Sequence, residues 1–235
     1  MSPFIDNDDT TKNRYESAGF RSAPIHALAE YTWLLDIRGE EETLLADMEK
    51  NHRHLIRRCE REGVRVDFST STEAVADFNR LHDRTASRHN FHRFSADYIT
   101  KEFQAFAFEN HAVVGRAYLS DGTLDSAGIF MYYGTMGAYR HGASLMTDKK
   151  ISTSYLLQWE AIREAKRRGM VWYNFWGIAP DSASAHHPFR GITHFKKGFG
   201  GLPKELLHCQ DLPLSLWYWL NWIIEKFRSL RRGFK

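Results

Sequence analysis

Cysteine is nearly absent from this sequence: Cys59 and Cys209 are the two in 235 residues, they lie far apart, and neither belongs to a CxxC pair. The chain therefore has no disulfide framework to build on, and a reducing compartment, the cytoplasm, is expected. Long apolar runs are missing too. Nothing near Met1 has the apolar stretch of a signal peptide, and the tryptophan-rich segment Leu214–Phe227 is broken by Asn221 and Glu225, short of the roughly 20 apolar residues a bilayer span requires. Several chemical signatures are lacking as well. There is no HExxH, no GxSxG elbow and no GxxxxGK[ST] phosphate cradle. Twelve histidines invite a metal, yet His186-His187 and His52/His54 have no partners at ligand spacing, so no metal is expected.

What is present is enough for a globular protein. A chain of this length that is 43% hydrophobic buries a real core, as one large domain or two small ones. The 32 Lys and Arg against 29 acids leave a net charge of only +3, but the cations are clustered in Lys50–Arg61 (KNHRHLIRRCER) and Arg228–Lys235 (RSLRRGFK). Such runs suit a polyanion or an anionic lipid surface; equally, they are solvated helix faces.

Pattern along the chain gives a coarse element order. Residues 1–30 are a polar lead-in. Tyr31–Ile37 (YTWLLDI) reads as a strand, and apolar positions at helical spacing predict one long helix from Glu40 to Arg61, with acids early, basics late and Gly63 as its stop. A strand at Val64–Phe68 and a helix at Ser71–His82 follow, then a helix at Ala96–Phe108 and a hairpin of 111–119 with 124–133 around Asp121-Gly122. After a loop at 134–150 come a helix at Ser152–Arg168, a buried strand at Met170–Trp176 and a long loop from Gly177 to Gly191. The order is that of an α+β fold, a mixed sheet with helices on both faces. Leu214–Phe227 is an amphipathic helix that either packs on the body or lies at a membrane interface or partner.

The stretch His194–Gly201, HFKKGFGG, sets two lysines between two phenylalanines and then three glycines in four positions. Its plain structural reading is a turn: Gly198, Gly200 and Gly201 supply positive φ, the phenylalanines anchor it and both lysines are solvated.

Taken in order, TWLLDI, KNHRHLIRRCEREGV, RTASRHNF, AYRHGAS, YLLQWEAIREAKRRG, YNFWGI, HFKKGFGG and CQDLPL form a series that resembles the Fem family of peptidoglycan-bridge aminoacyltransferases, over about Tyr15 to Trp219. The order is far more specific than any one motif. Members of that family are built from two acetyltransferase-like (GNAT) halves, so the resemblance implies a GNAT-like domain over 31–212, a lead-in at 1–30 matching the end of a first half that is otherwise missing, and a C-terminal amphipathic helix with a basic tail over 213–235. It implies transfer of an amino acid from aminoacyl-tRNA to the stem-peptide amine of lipid II or UDP-MurNAc-pentapeptide, with no cofactor beyond the tRNA. An aminoacyl ester is already activated, so no protein nucleophile is needed, which agrees with the absence of a GxSxG elbow. A positive donor at the developing oxyanion is needed. The family's Phe-Lys pair falls on Phe195-Lys196, which makes Lys196 the expected oxyanion donor and Lys197 its solvent-facing neighbour at the substrate. Arg88 and Tyr139 match family positions at the precursor, and Arg53, Arg57 and Arg58 are set to meet tRNA phosphates. The family has an aspartate where this chain has Asn174.

Two other readings compete. An acyl-CoA-dependent N-acyltransferase would hold pyrophosphate on a [QR]xxGx[GA] turn, and Arg140-His141-Gly142-Ala143 has the wrong spacing for it. A non-catalytic family member that binds precursor or membrane is the other; Trp217, Trp219, Trp222 and Ile223 would then drive dimerisation, membrane attachment or pairing with a chain that supplies the missing half.

Overall fold

The computed structural model of the chain describes residues 1, 3–26, 28–89, 93–148, 150–183, 187 and 189–232. In chain order the elements are α1 (Asp9–Ser17), β1 (Arg21–Ser22), β2 (Tyr31–Asp36), α2 (Glu41–Asp47), α3 (Lys50–Arg61), β3 (Arg65–Ser69), α4 (Thr72–His89), α5 (Ala96–Ala107), β4 (Ala112–Tyr118), β5 (Leu124–Tyr133), β6 (Met136–Ser144), α6 (Thr153–Arg167), β7 (Trp172–Gly177), α7 (Arg190–Lys197), β8 (Leu202–Glu205), β9 (Gln210–Asp211) and α8 (Trp217–Arg232). They divide into two units, one of Leu35–Phe175 with Gly198–Gly201, the other of Met1–Leu34, Trp176–Lys197 and Leu202–Lys235.

The larger unit is built on strands in the order β3-β4-β5-β6-β7. The first four form an antiparallel meander, and β7 joins β6 in parallel, with Gly137 opposite Tyr173. Side chains alternate across a strand, and here both faces are used. Ala112 and Val114 of β4 and Ala127 and Ile129 of β5 pack with Val75, Phe78 and Leu81 of α4 and Ile99 and Phe103 of α5. On the other face Gly115 lets Phe130, Phe68 and Leu157 of α6 close over the strand; a Cβ at 115 would stand 2.8 Å from both phenylalanine rings. This is the α+β arrangement, a mixed sheet with helices on both faces, expected from the sequence.

Four local expectations are corrected. The single helix predicted over 40–61 is two, because Met48 and Glu49 are extended, with ψ of 154° and 143°. The Glu49 N–H leaves the helical ladder to donate to the Gly198 carbonyl at 2.8 Å. The helix placed at 71–82 runs on to His89. The loop placed at 134–150 contains β6, whose MGAYRHGAS sequence has too many small and polar residues to show the apolar alternation of a strand. The turn read at HFKKGFGG is instead the end of α7, which closes at Lys197. Positive φ occurs at Gly200 and Gly201, and Gly198 serves another purpose: a Cβ there would lie 1.9 Å from Cε1 of the buried His52. His52 in turn stacks edge-on against Tyr155 and Phe199, at 4.8 and 4.9 Å between ring centres.

In the smaller unit, Tyr31–Leu34 of β2 pairs antiparallel with β8, and β1 pairs with β9. Trp33 and Leu34 are buried there, and Ile178 donates its N–H to the Tyr31 carbonyl at 2.9 Å. The helix α8 exposes Trp217, Trp219, Leu220, Ile223, Ile224 and Phe227. Among the described residues no helix is long and apolar enough to cross a membrane.

Candidate active site around Lys196

In the smaller unit the chain leaves β7 through Trp176, whose φ of 66° is left-handed, a conformation uncommon for a bulky residue, and Gly177 follows. Only glycine fits at 177. A Cβ would stand 2.6 Å from the Phe189 ring and 2.8 Å from the Ala29 methyl. The Phe189 ring thus rests close on the backbone turn. The short helix α7 begins just after Phe189 and is tied back to the same turn by Thr193, whose hydroxyl accepts from the Ala179 N–H at 2.8 Å and donates to the Phe189 carbonyl at 2.7 Å.

This framework determines where the last turn of α7 points. Lys196 is 5% exposed, and its Nζ donates to the Gly177 carbonyl at 2.6 Å with the Phe189 ring centre 5.9 Å away. Both contacts are neutral. Burial therefore pushes the Lys196 amine down to about 7, so at neutral pH it exists in both protonation states. The expectation of solvated lysines is corrected for Lys196. Its neighbour Lys197 is half-buried, pairing with Asp181 at 2.9 Å and lying 5.5 Å from the Trp33 ring centre. Phe195 is half-buried on the same helix.

The remaining sequence-predicted residues belong to the larger unit. Arg88, at the end of α4, donates to the carbonyls of Ser144, at 2.9 Å, and Leu145. Tyr139 is stacked on Phe130 at 5.6 Å between ring centres, and its phenol is pushed up to about 12 by burial, against a hydrogen bond with Gln158. Tyr139 is half-buried as a residue, and its hydroxyl sits close over Gly142, where a Cβ would lie 1.6 Å from it. Gln158 also accepts from the Tyr173 hydroxyl at 2.8 Å. The next two residues of the AYRHGAS motif, Arg140 and His141, both engage Glu102, at 2.7 and 2.8 Å. Burial raises the Glu102 carboxyl, but the hydrogen bonds from His141 and Arg140 prevail and hold it down at about 2. Arg53 caps the broken helix by donating to the Ala46 carbonyl at 2.7 Å and to that of Met48. Arg57 is exposed and Arg58 half-buried on α3, and Asn174 is fully buried in β7.

Sequence reading missed the partners that shape Lys196, namely Gly177, Phe189 and Thr193. The signal available was the Trp-Gly pair that ends an apolar strand, since glycine at a strand end marks close backbone approach. A buried amine with no carboxylate partner among the described residues, held beside a left-handed turn, has the chemistry of a donor for developing negative charge.

Comparison with known proteins agrees with this order of elements. The FemX crystal structure shares the fold at a TM-score of 0.84 and 17% identity, with 95% of this chain and 73% of FemX covered. Two further structures are less similar. The C-terminal DUF2156 domain of an Agrobacterium fabrum protein described as a lysylphosphatidylglycerol synthetase gives a TM-score of 0.58 at 14% identity, covering 84% of this chain and 63% of that one. The L-PGS of Bacillus licheniformis gives 0.57 at 15% identity, covering 96% and 72%. No curated protein sequence matches the chain. The FemAB family pattern matches residues 15–125 and 120–225, which include nearly every element described above, and the chain belongs to the FemAB family.

Proposed function

We propose that the chain is a Fem-type, GNAT-like aminoacyltransferase that moves an amino acid from aminoacyl-tRNA onto the stem-peptide amine of a peptidoglycan precursor, working at the cytoplasmic face of the membrane. The observation that carries this reading is Lys196: a buried amine held by the Gly177 carbonyl, in a chain of this family. The attacking amine forms the new C–N bond at the ester carbonyl, and charge develops on the carbonyl oxygen. The Lys196 ammonium stabilises that oxyanion, the C–O bond breaks, and the proton lost by the amine ends on the departing ribose hydroxyl of the tRNA. No protein nucleophile and no cofactor takes part. Phe195 and Lys197 flank this donor. Tyr139 and Arg88 are assigned to the precursor side, each acting by position: Arg88 through the strand end whose carbonyls it holds, and Tyr139 through its ring stacked on Phe130. Arg57 and Arg58 on α3, with Arg53 as the helix cap between them and α2, are assigned to tRNA phosphates.

A second reading differs in acceptor. The likeness to the domain of a protein described as a lysylphosphatidylglycerol synthetase, together with the exposed aromatic face of α8, favours an anionic lipid headgroup in place of the stem peptide. Both readings use the same donor and the same lysine. The test is transfer from radiolabelled aminoacyl-tRNA with lipid II, UDP-MurNAc-pentapeptide or phosphatidylglycerol as acceptor, and acetyl-CoA as the alternative donor. Label in a peptidoglycan precursor supports the first reading and label in the lipid the second. Acetyl transfer in place of aminoacyl transfer contradicts both.

A further inference from the structure

Two neighbouring side chains of the smaller unit, His26 and Glu30, converge with the remote His208 outside the Lys196 site. His26 Nδ1 lies 2.7 Å from Glu30 Oε2, and His208 Nδ1 lies 2.9 Å from the same oxygen. The donor atoms of the three all fall within 4.8 Å of one another. Two other polar atoms of the cluster have backbone partners. His208 Nε2 faces the Ala23 carbonyl at 2.7 Å, and Glu30 Oε1 accepts from the Cys209 N–H at 3.0 Å.

The hydrogen count of this arrangement is informative. A carbonyl only accepts, so His208 Nε2 carries a proton. Without an ion, Nδ1 of His208 must also carry one to reach the Glu30 carboxylate, at 2.8 Å from Oε1 and 2.9 Å from Oε2, as must Nδ1 of His26, at 2.7 Å from Oε2. A cation placed among the three donors replaces both of those protons and leaves the Nε2–H bond to Ala23 intact. A ligating histidine whose second nitrogen donates to a backbone carbonyl is the usual outer-shell arrangement of metal sites. Ligand atoms about 2.1 Å from a tetrahedral zinc stand roughly 3.4 Å apart, so a small opening of the present 2.7 and 2.9 Å contacts admits the ion.

We propose that His26, Glu30 and His208 form a binding site for a divalent cation of the zinc type, with at least one coordination position left to water or a ligand. Two imidazoles and one carboxylate suit zinc, cobalt or nickel and disfavour magnesium, which takes oxygen donors. His187 is not a ligand, because its Nδ1 accepts the Phe189 N–H at 3.1 Å and its other nitrogen keeps the ring proton. The ion ties the segment after β1 to the segment after β8. Spacing in the sequence did not reveal the site, since Glu30 and His208 are 178 positions apart. The inference does not depend on the transfer reaction.

The test is a titration of the metal-free, tag-free full-length chain with Co²⁺, read by its visible d–d absorption, and with Zn²⁺ and Mg²⁺ by calorimetry. One Co²⁺ or Zn²⁺ per chain with micromolar or tighter affinity is expected, with no Mg²⁺ binding. His26→Ala, at an exposed side chain, and Glu30→Gln are each expected to weaken Zn²⁺ at least tenfold, and His54→Ala to leave it unchanged. Circular dichroism of the metal-free variants separates lost ligands from lost folding. Absence of Zn²⁺ and Co²⁺ binding, or binding that His26→Ala leaves unchanged, overturns the proposal.

Discussion

A lysine ammonium moved out of water loses its hydration, and the carbonyl and ring that Lys196 gains do not replace it. The sign of the resulting pH dependence follows from the proton count. With the folded amine at about 7 and the ordinary value at 10.5, the unfolded chain binds more protons between those limits, so stability rises as pH increases from 7 toward 10. Below 7 the folded state carries the full penalty of a buried charge. Lys196→Met is accordingly expected to raise stability at neutral pH, on the order of a few kcal/mol, while slowing transfer about 10²–10³-fold below pH 7. Denaturant unfolding of both proteins at pH 7 and pH 10 checks this, and a variant less stable than the native chain at pH 7 would mean that the lysine serves the fold. Gly198 gives the opposite case. Gly198→Ala places a methyl on the His52 ring and is expected to destabilise by about 1–3 kcal/mol, measurable in the same unfolding experiment. Neither lysine burial nor the glycine's true neighbour was legible in HFKKGFGG, because both depend on groups outside that stretch, the Gly177 carbonyl and Phe189 ring in one case and the His52 ring in the other.

At the scale of elements, legibility followed local pattern. The strand at β2, the hairpin of β4 and β5 and the helices α5 and α6 carry periodic apolar residues and clear stops, and the sequence predicts them within a residue or two. The break between α2 and α3 has no glycine or proline to announce it; it is imposed by the Glu49 N–H bond to Gly198 and sealed by the Arg53 cap. The strand β6 was hidden because its small residues make room for others. Gly142 accommodates the Tyr139 hydroxyl, so Gly142→Ala is expected to displace Tyr139 from Phe130 and lower thermal stability with little change in helix content, seen by near-ultraviolet against far-ultraviolet circular dichroism. The helix α8 presents a different case, an apolar face left in water: Trp217 is 76% and Phe227 66% exposed. Such a face is seldom left uncovered. Sedimentation without detergent or lipid is expected to show species above the 27.4 kDa of one chain, and a detergent that covers the helix to return a single chain. A monodisperse 27.4 kDa species without detergent contradicts this reading.

For the molecule as a whole, family and fold are the parts most fully written in the sequence, since an ordered series of motifs spread over most of the chain carries more information than any single site. The proposed reaction assigns its oxyanion to one amine in one protonation state. If Lys196 stabilises the oxyanion it acts as the ammonium, so its contribution is largest below its own pKa and fades above it. Substrate amine ionisation changes the absolute rate with pH but affects the native chain and Lys196→Met alike. The most direct measurement is therefore the ratio of their aminoacyl-transfer rates, in single turnover from aminoacyl-tRNA to precursor, from about pH 6 to about pH 9. The account predicts a ratio of about 10²–10³ at the acid end that falls steadily as pH passes 7. A ratio near one throughout, or one that grows as the amine loses its proton, would contradict it.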